Sequence, residues 1–334
     1  MGIHTATVID PPVIILGVSR SGTTLLKEML DQHPRLAIPP ESYLVPQLWD
    51  RHGERPDPEA FVADIGRLAR IREWGVTPAD VSQRLGERPE FAAAIEAVYA
   101  AYADIRGKPR FGDKTPAYME RLDVLERAFP DALYVHLVRD GRDAGLSFLE
   151  MRRRARFSWV RPRSLGAFAA QWHREVEGAR RFGRERVAGR YFELRYEDLV
   201  ARPEPMLRAV CGFLELQFEP AMLGYHRWHD AKRLPDHARL AAPPSPSQRW
   251  RDEMTLRDTE CFEAIAGELL DELGYPRAHP RPSRTARARA SLHRASLGMR
   301  TALWDTALAV VRRSPIWQLR QVQIRRTFEP GSTP

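Results

Sequence analysis

The sequence predicts an α/β protein: a three-layer α/β/α arrangement on a central parallel sheet, with a P-loop-like opening unit, a helical insertion and a C-terminal helical tail. Three observations carry this. The run Val13 to Leu16 is apolar, β-branched and bounded by Pro12 and Gly17, as a buried parallel strand requires, and it enters a glycine loop. A strand followed by a helix recurs at Leu133 and at Tyr191. The length of 334 residues, with 43% hydrophobic and 29% charged, suits one large core with insertions.

After the loop, Thr23 to Asp31 reads as a helix with Leu25, Leu26, Met29 and Leu30 apolar, ended by His33-Pro34. Three helices are expected in an insertion over about 54–107. Asp57-Pro58-Glu59 opens one and Thr77-Pro78 a second, and Phe91, Ile95, Val98, Tyr99 and Tyr102 keep helical spacing in the third. FGDKTP (111–116) predicts a helix starting at Thr115-Pro116 and running through Phe129. Leu133 to Val138 is a second strand, leading into RDGRD and a helix. A long helix around Ala167 to Arg186, the strand-like YFELRY (191–196) and a helix near Glu204 to Leu216 follow. PPSPS (243–247) reads as a loop before a helix opened by Thr255, and RAHPRPSRTARARAS (277–291) as a linker. The main domain is thus expected over 1–276 and a basic amphipathic helical tail over 292–334.

The net charge of +8 is uneven, because residues 277–334 hold 12 Arg, no Lys and only Asp305 and Glu329 as acids, which leaves residues 1–276 at −2. The basicity therefore belongs to the tail and argues against nucleic acid as a partner of the main domain. Cys211 and Cys261 lie in apolar helical surroundings without C-x-x-C spacing and read as buried thiols. The N-terminus resembles no secretory signal and no apolar run reaches spanning length, so a cytoplasmic location is expected. The wealth of arginine over lysine suggests a bacterium of high-GC genome. Leu292, Met299, Leu303 and Val310 would form the tail's apolar face, either docked on its own domain or a twin subunit, or laid on an anionic membrane.

The chemistry starts at GVSRSGTT (17–24). Gly17, Gly22 and Thr24 stand at the spacing of a nucleoside-triphosphate loop, but Thr23 occupies the lysine position and the nearest cation is Arg20. The N–H groups of Gly22, Thr23 and Thr24 at a helix N-terminus would cradle one phosphate. A loop lysine serves a β/γ-phosphate chain arriving with Mg²⁺, whereas a phosphate joined to a sulfate needs neither. Arg20 would then meet the oxygen between phosphorus and sulfur, where charge develops as that bond breaks.

GVSRSGTTLL (17–26), LVRDGRDAGLS (137–147) and RYEDLV (195–200) together resemble the sulfotransferases that use 3′-phosphoadenosine 5′-phosphosulfate (PAPS). RSGTTLLKEMLDQHP followed by ESYLVP is more similar to the tyrosylprotein sulfotransferases and their bacterial relatives than to the cytosolic steroid and phenol enzymes. The resemblance implies that Arg20, Ser21, Gly22, Thr23 and Thr24 bind the 5′-phosphosulfate and that Arg139 and Ser147 hold the 3′-phosphate. It places Tyr196 near the adenine, Arg249 in a late cofactor loop, Lys114 at the transferring sulfuryl group and Glu41 as general base. It departs from the cytosolic enzymes in having Leu25 and Leu26 where an adenine-stacking aromatic stands, and no histidine base. From the residues alone, Glu41 could equally cap a helix beginning after Pro39-Pro40, and Arg139 could simply pair with Asp140.

The expected reaction is in-line transfer of a sulfuryl group from PAPS to an acceptor hydroxyl or amine, releasing adenosine 3′,5′-bisphosphate (PAP), without a metal. Glycolipid, carbohydrate and small natural product are the favoured acceptors. The rival readings are a P-loop kinase for small molecules, against which stands the missing lysine, and a non-catalytic nucleotide-binding protein, against which stand Glu41 and Lys114.

Overall fold

The computed structural model describes residues 10–154, 162–227 and 248–312. The expected PPSPS loop and the tail beyond Arg312 lie outside the described residues, as do the side chains of Leu303 and Val310. Among the described residues there are five strands, β1 (Val13–Leu16), β2 (Leu36–Ala37), β3 (Arg110–Lys114), β4 (Leu133–Val138) and β5 (Tyr191–Arg195). They form one sheet in the order β2-β3-β1-β4-β5, with every neighbouring pair parallel. Ile15 pairs with Lys114 on one side and Val135 on the other, so β1 occupies the centre of the sheet.

Three of these strands were legible as apolar runs; β2 and β3 were not. β2 is only two residues long. β3 reads RFGDK and carries three charged residues, yet all five are buried because β1 and β2 flank it. Arg110 is tolerated there because its guanidinium donates to the carbonyls of Pro11 and Leu214, the latter at 2.6 Å.

The helices in chain order are α1 (Thr23–Asp31), α2 (Leu44–His52), α3 (Pro58–Arg67), α4 (Ala69–Glu73), α5 (Pro78–Ser82), α6 (Phe91–Ile105), α7 (Leu122–Ala128), α8 (Gly141–Arg154), α9 (Leu165–Glu185), α10 (Tyr196–Ala201), α11 (Pro203–Phe213), α12 (Trp250–Glu253), α13 (Leu256–Glu272) and α14 (Arg284–Arg312). The insertion contains four helices, α3 to α6, where three were expected. Asp57 caps α3 by accepting from the Ala60 N–H at 2.8 Å, and Thr77 with Asp80 makes a capping box on α5. Thr115-Pro116 opens a short 3-10 segment, Pro116–Glu120, and α7 starts only afterwards.

Alternation along the strands creates the layers. Ile14, Leu16, Tyr134 and Val138 face a core built with α6 to α9 and α13, while Val13, Ile15, Val135, Leu137 and Leu194 face a second core built with α1 and α11. Burying side chains such as Trp172, Phe168 and Phe262 on the first face stabilises the fold by roughly 2 to 3 kcal/mol each.

The C-terminal segment differs from expectation. The supposed linker 277–291 is already helical from Arg284, because Ser283 caps the helix through the Ala286 N–H at 3.2 Å and alanine and arginine favour it. Ala286 and Ala290 are buried, the Arg294 guanidinium donates to the Ile265 carbonyl, and the His293 ring packs at Gly166. The docked face is thus the alanine face, and Leu292 and Met299 of the expected apolar face stay exposed.

Candidate active site

Sheet order decides which side chains meet. In parallel sheets the crevice lies beyond the carboxyl ends of the strands, where the chain leaves β1 to opposite sides. Across those ends, from β2 to β5, the loops deliver Glu41, Lys114, the 17–24 loop, Arg139 and Tyr196 in turn. Residues from Gly17 to Tyr196 therefore share one edge.

The loop after β1 is shaped by two left-handed residues, Arg20 (φ 73°) and Gly22 (φ 93°). A Cβ at Gly22 would stand 2.4 Å from the Tyr196 ring, and one at Gly17 would stand 2.6 Å from the Thr23 methyl and 2.8 Å from the Leu137 carbonyl. Glycine is thus required for the loop to close between α10 and β4. Gly22 precedes α1 with no side-chain cap, which leaves the first amides of the helix for an anion. The Ser21 hydroxyl is buried without a hydrogen-bond partner.

The Arg20 Nε donates to Ser147 Oγ at 3.1 Å, and Arg139 donates to the Arg20 carbonyl at 3.2 Å. The Arg139 guanidinium lies 4.6 Å over the Tyr196 ring, and its buried Nε has no partner. The alternative pairing of Arg139 with Asp140 is not what forms: Asp140 instead grips Arg142 at 2.7 Å, and Arg142 also bonds Glu263 at 2.6 Å. This frees Arg139 for the crevice. Tyr196 covers the loop, wedged between Gly22 and Arg139.

Arg249 stands just ahead of α12 and bonds Glu253 at 2.6 Å, with Glu150 at 3.5 Å. Glu150 lies three residues after Ser147 on α8, so both share a face and Arg249 arrives on the Ser147 side. The segment is seated by the Trp250 N–H donating to Asp143 at 2.9 Å and by Arg142 lying 3.6 Å over the Trp250 ring. Burial pushes the Asp143 carboxyl up to about 6, against the Trp250 amide bond and the nearby Arg139 charge, which lower it.

On the other side of the loop, the Lys114 ammonium donates to Thr24 Oγ1 at 3.0 Å and forms an ion pair with Glu41. The lysine is almost fully buried and the glutamate reaches partly into solvent. Helix capping is not the role of Glu41, since α2 begins at Leu44 with Tyr43 as its cap residue. The Glu41 carbonyl accepts from Arg70 of α4 at 2.7 Å, which ties this turn to the insertion.

All of the expected site residues thus converge, with Arg249 at the margin. Sequence reasoning missed the layer behind them: Asp113, Tyr99, Tyr118 and Ser42. The one available signal was an acid beside the lysine in GDK, which looks like a solvated charge pair until β3 is recognised as an interior strand.

A parallel α/β/α frame with a glycine loop after β1, Arg20 and Arg139 beside it and a Lys-Glu pair at the neighbouring strand ends suits the transfer of an anionic group. The chain matches the sulfotransferase family over residues 11–220, well over half of its length, and belongs to that family of enzymes. It is 26% identical over 290 residues to protein-tyrosine sulfotransferase 1 of Danio rerio, covering 81% of this chain and 74% of that protein. It is 28% identical over 289 residues to nodulation protein NoeE of Sinorhizobium fredii, covering 78% of this chain and 65% of that one. Against the protein-tyrosine sulfotransferase of Drosophila melanogaster, 26% identical over 220 residues, it spans 40% of the relative's length. Among solved structures it is similar to the sulfotransferase domain from the curacin biosynthetic pathway, at 23% identity and a TM-score of 0.49, covering 84% of this chain and 97% of that one.

Proposed function

We propose that the chain transfers a sulfuryl group from PAPS to an acceptor hydroxyl or amine, with Glu41 as general base. The observation that carries this is the order of groups along the strand ends: base, lysine, anion loop, then arginine and tyrosine. A donor with anions at both the 5′ and 3′ positions of one ribose matches the two anion-seeking places, the α1 amides with Ser21, and Arg139 with Ser147. The orphaned Ser21 hydroxyl and Arg139 Nε supply bonds that a buried polar atom otherwise forfeits. Arg249 would add charge from the margin.

In the reaction, Glu41 takes the proton of the acceptor, whose oxygen or nitrogen forms a bond to sulfur while the bond between sulfur and the 5′-phosphate oxygen breaks. PAP then leaves. As Glu41 becomes neutral its attraction for Lys114 ends, and the ammonium is available to the three sulfuryl oxygens. Arg20 compensates the charge growing on the departing phosphate oxygen. Positioning and charge do most of this work, as they do in phosphoryl transfer, and no metal is invoked. The relatives are named for protein tyrosine and for nodulation; a hydroxyl-bearing glycolipid, carbohydrate or small natural product fits this chain's partly open Glu41 as an acceptor.

Titration calorimetry with PAP, and with ATP plus Mg²⁺, tests the reading. Micromolar or tighter PAP binding that needs no metal is expected; absence of PAP binding with tight metal-dependent ATP binding would replace the proposal with a kinase.

A further inference from the structure

We propose that Tyr99, Asp113 and Ser42 are positioning residues that hold the Glu41 and Lys114 pair in register and fasten the helical insertion to it. The inference rests on the sulfuryl-transfer reading of that pair.

Asp113 is fully buried on β3 and, by strand alternation, projects from the face opposite to Lys114. Its carboxylate accepts from the Tyr99 hydroxyl of α6 at 2.5 Å and from Thr115 Oγ1 at 3.4 Å. The buried Tyr118 hydroxyl faces the same carboxylate without a well-aligned bond. Ser42, peptide-bonded to Glu41, lies against both tyrosine hydroxyls, and its Oγ accepts the Leu44 N–H at 3.2 Å where α2 begins. One polar cluster therefore reaches the base through the 41–42 peptide and the lysine through the 113–114 peptide.

The cluster is rigid. The Tyr99 ring stacks on Phe111 at 5.4 Å and meets Phe129 edge-on at 5.5 Å. Burial pushes both tyrosine hydroxyls well above their usual range, so they remain donors, and it raises the Asp113 carboxyl. An apolar side chain would fill the back of β3 at lower desolvation cost, so the acid there is better explained by the geometry it enforces. That geometry matters because a misplacement of about 1 Å can lower a rate by about a hundredfold.

The test compares Tyr99→Phe, Asp113→Asn and Asp113→Ala by PAP affinity, melting temperature, and kcat and KM for PAP release from PAPS, to a surrogate phenol or to water. Tyr99→Phe is expected to lower kcat about tenfold with PAP affinity within about twofold. Asp113→Asn, whose amide oxygen still accepts from Tyr99, should recover most of the rate that Asp113→Ala loses. A fully active, folded Tyr99→Phe with only a lower melting temperature would overturn the inference, and this variant decides even where Asp113→Ala does not fold. A wild-type chain that binds no PAP or turns over no PAPS would instead remove the underlying reading.

Discussion

The two halves of the crevice are built on opposite plans. On the β1 and β4 side, Arg20 reaches the Ser147 hydroxyl, Arg139 reaches a carbonyl and the Tyr196 face, and buried polar atoms at Ser21 and Arg139 are left over. On the β2 and β3 side, the charged groups already have partners, with Lys114 held by Glu41 and Thr24, and Asp113 held by the Tyr99 and Thr115 hydroxyls. The first half leaves the Ser21 hydroxyl and the Arg139 Nε unsatisfied and fits a ligand that brings acceptors to them. The second has its polar groups partnered within itself, so they become available only when an acceptor or a proton intervenes. Binding and chemistry are accordingly expected to separate under mutation.

The largest separation is expected at Lys114→Ala and Glu41→Ala. Either should remove turnover, at a cost on the order of 3 to 4 kcal/mol in the barrier, while PAP affinity measured by calorimetry stays near wild type. Unchanged rates would end the division of labour. Next comes the opposite half. Arg139→Ala should weaken PAP by about a hundredfold and leave adenosine 5′-monophosphate nearly unaffected, since a charge-assisted contact to one phosphate is worth roughly 1.5 to 3 kcal/mol. Equal losses for both ligands would place the arginine elsewhere. Gly22→Ala should weaken both nucleotides by about tenfold or more through the clash with Tyr196 and the left-handed backbone.

The smallest effect lies outside the crevice and serves as a control. Glu175 on α9 is buried with Gln171 and faces Glu120 and Arg174; burial pushes it up to about 8. Its folded value lies above its unfolded one, so the folded state binds the extra proton and loses stability as pH rises from about 4.5 to about 8. Glu175→Gln should therefore melt close to wild type at pH 4.5 and above it at pH 8.5, with PAP binding unaffected at either pH. A difference that shrinks as pH rises would refute the assignment.

How legible each half was follows from the same contrast. The anion-seeking half is made of backbone geometry and contiguous motifs: glycines at fixed offsets, an apolar strand, a helix start, and Ser147 two turns along α8 from Arg139. Local physical chemistry dictates such units, so they stand out in the chain. Glu41 and Lys114 are implied by resemblance, but their pairing depends on β2 and β3 being neighbours, and β2 is too short and β3 too charged to stand out in the sequence. Tyr99 looked like one more apolar position on an amphipathic helix; only its ring contacts and the buried acid opposite show a second use for its hydroxyl. The tail departs from its hydropathy pattern for a related reason. Small alanines pack more closely than leucine and methionine, so Ala286 and Ala290 took the docked face that hydropathy alone assigns to the larger side chains.

By itself, the sequence determined the parallel α/β frame, the glycine loop and the absence of a lysine from it, because these rest on periodicity and on the backbone freedom of single residues. Only the tertiary structure decided that a strand written RFGDK could be buried, that Arg139 would be released from Asp140, and that Glu41 would meet Lys114 rather than cap a helix. Those outcomes are settled by which charged groups find partners once water is excluded, and the deciding partners, Glu41 for Lys114 and Glu263 for Arg142, lie far away in the chain.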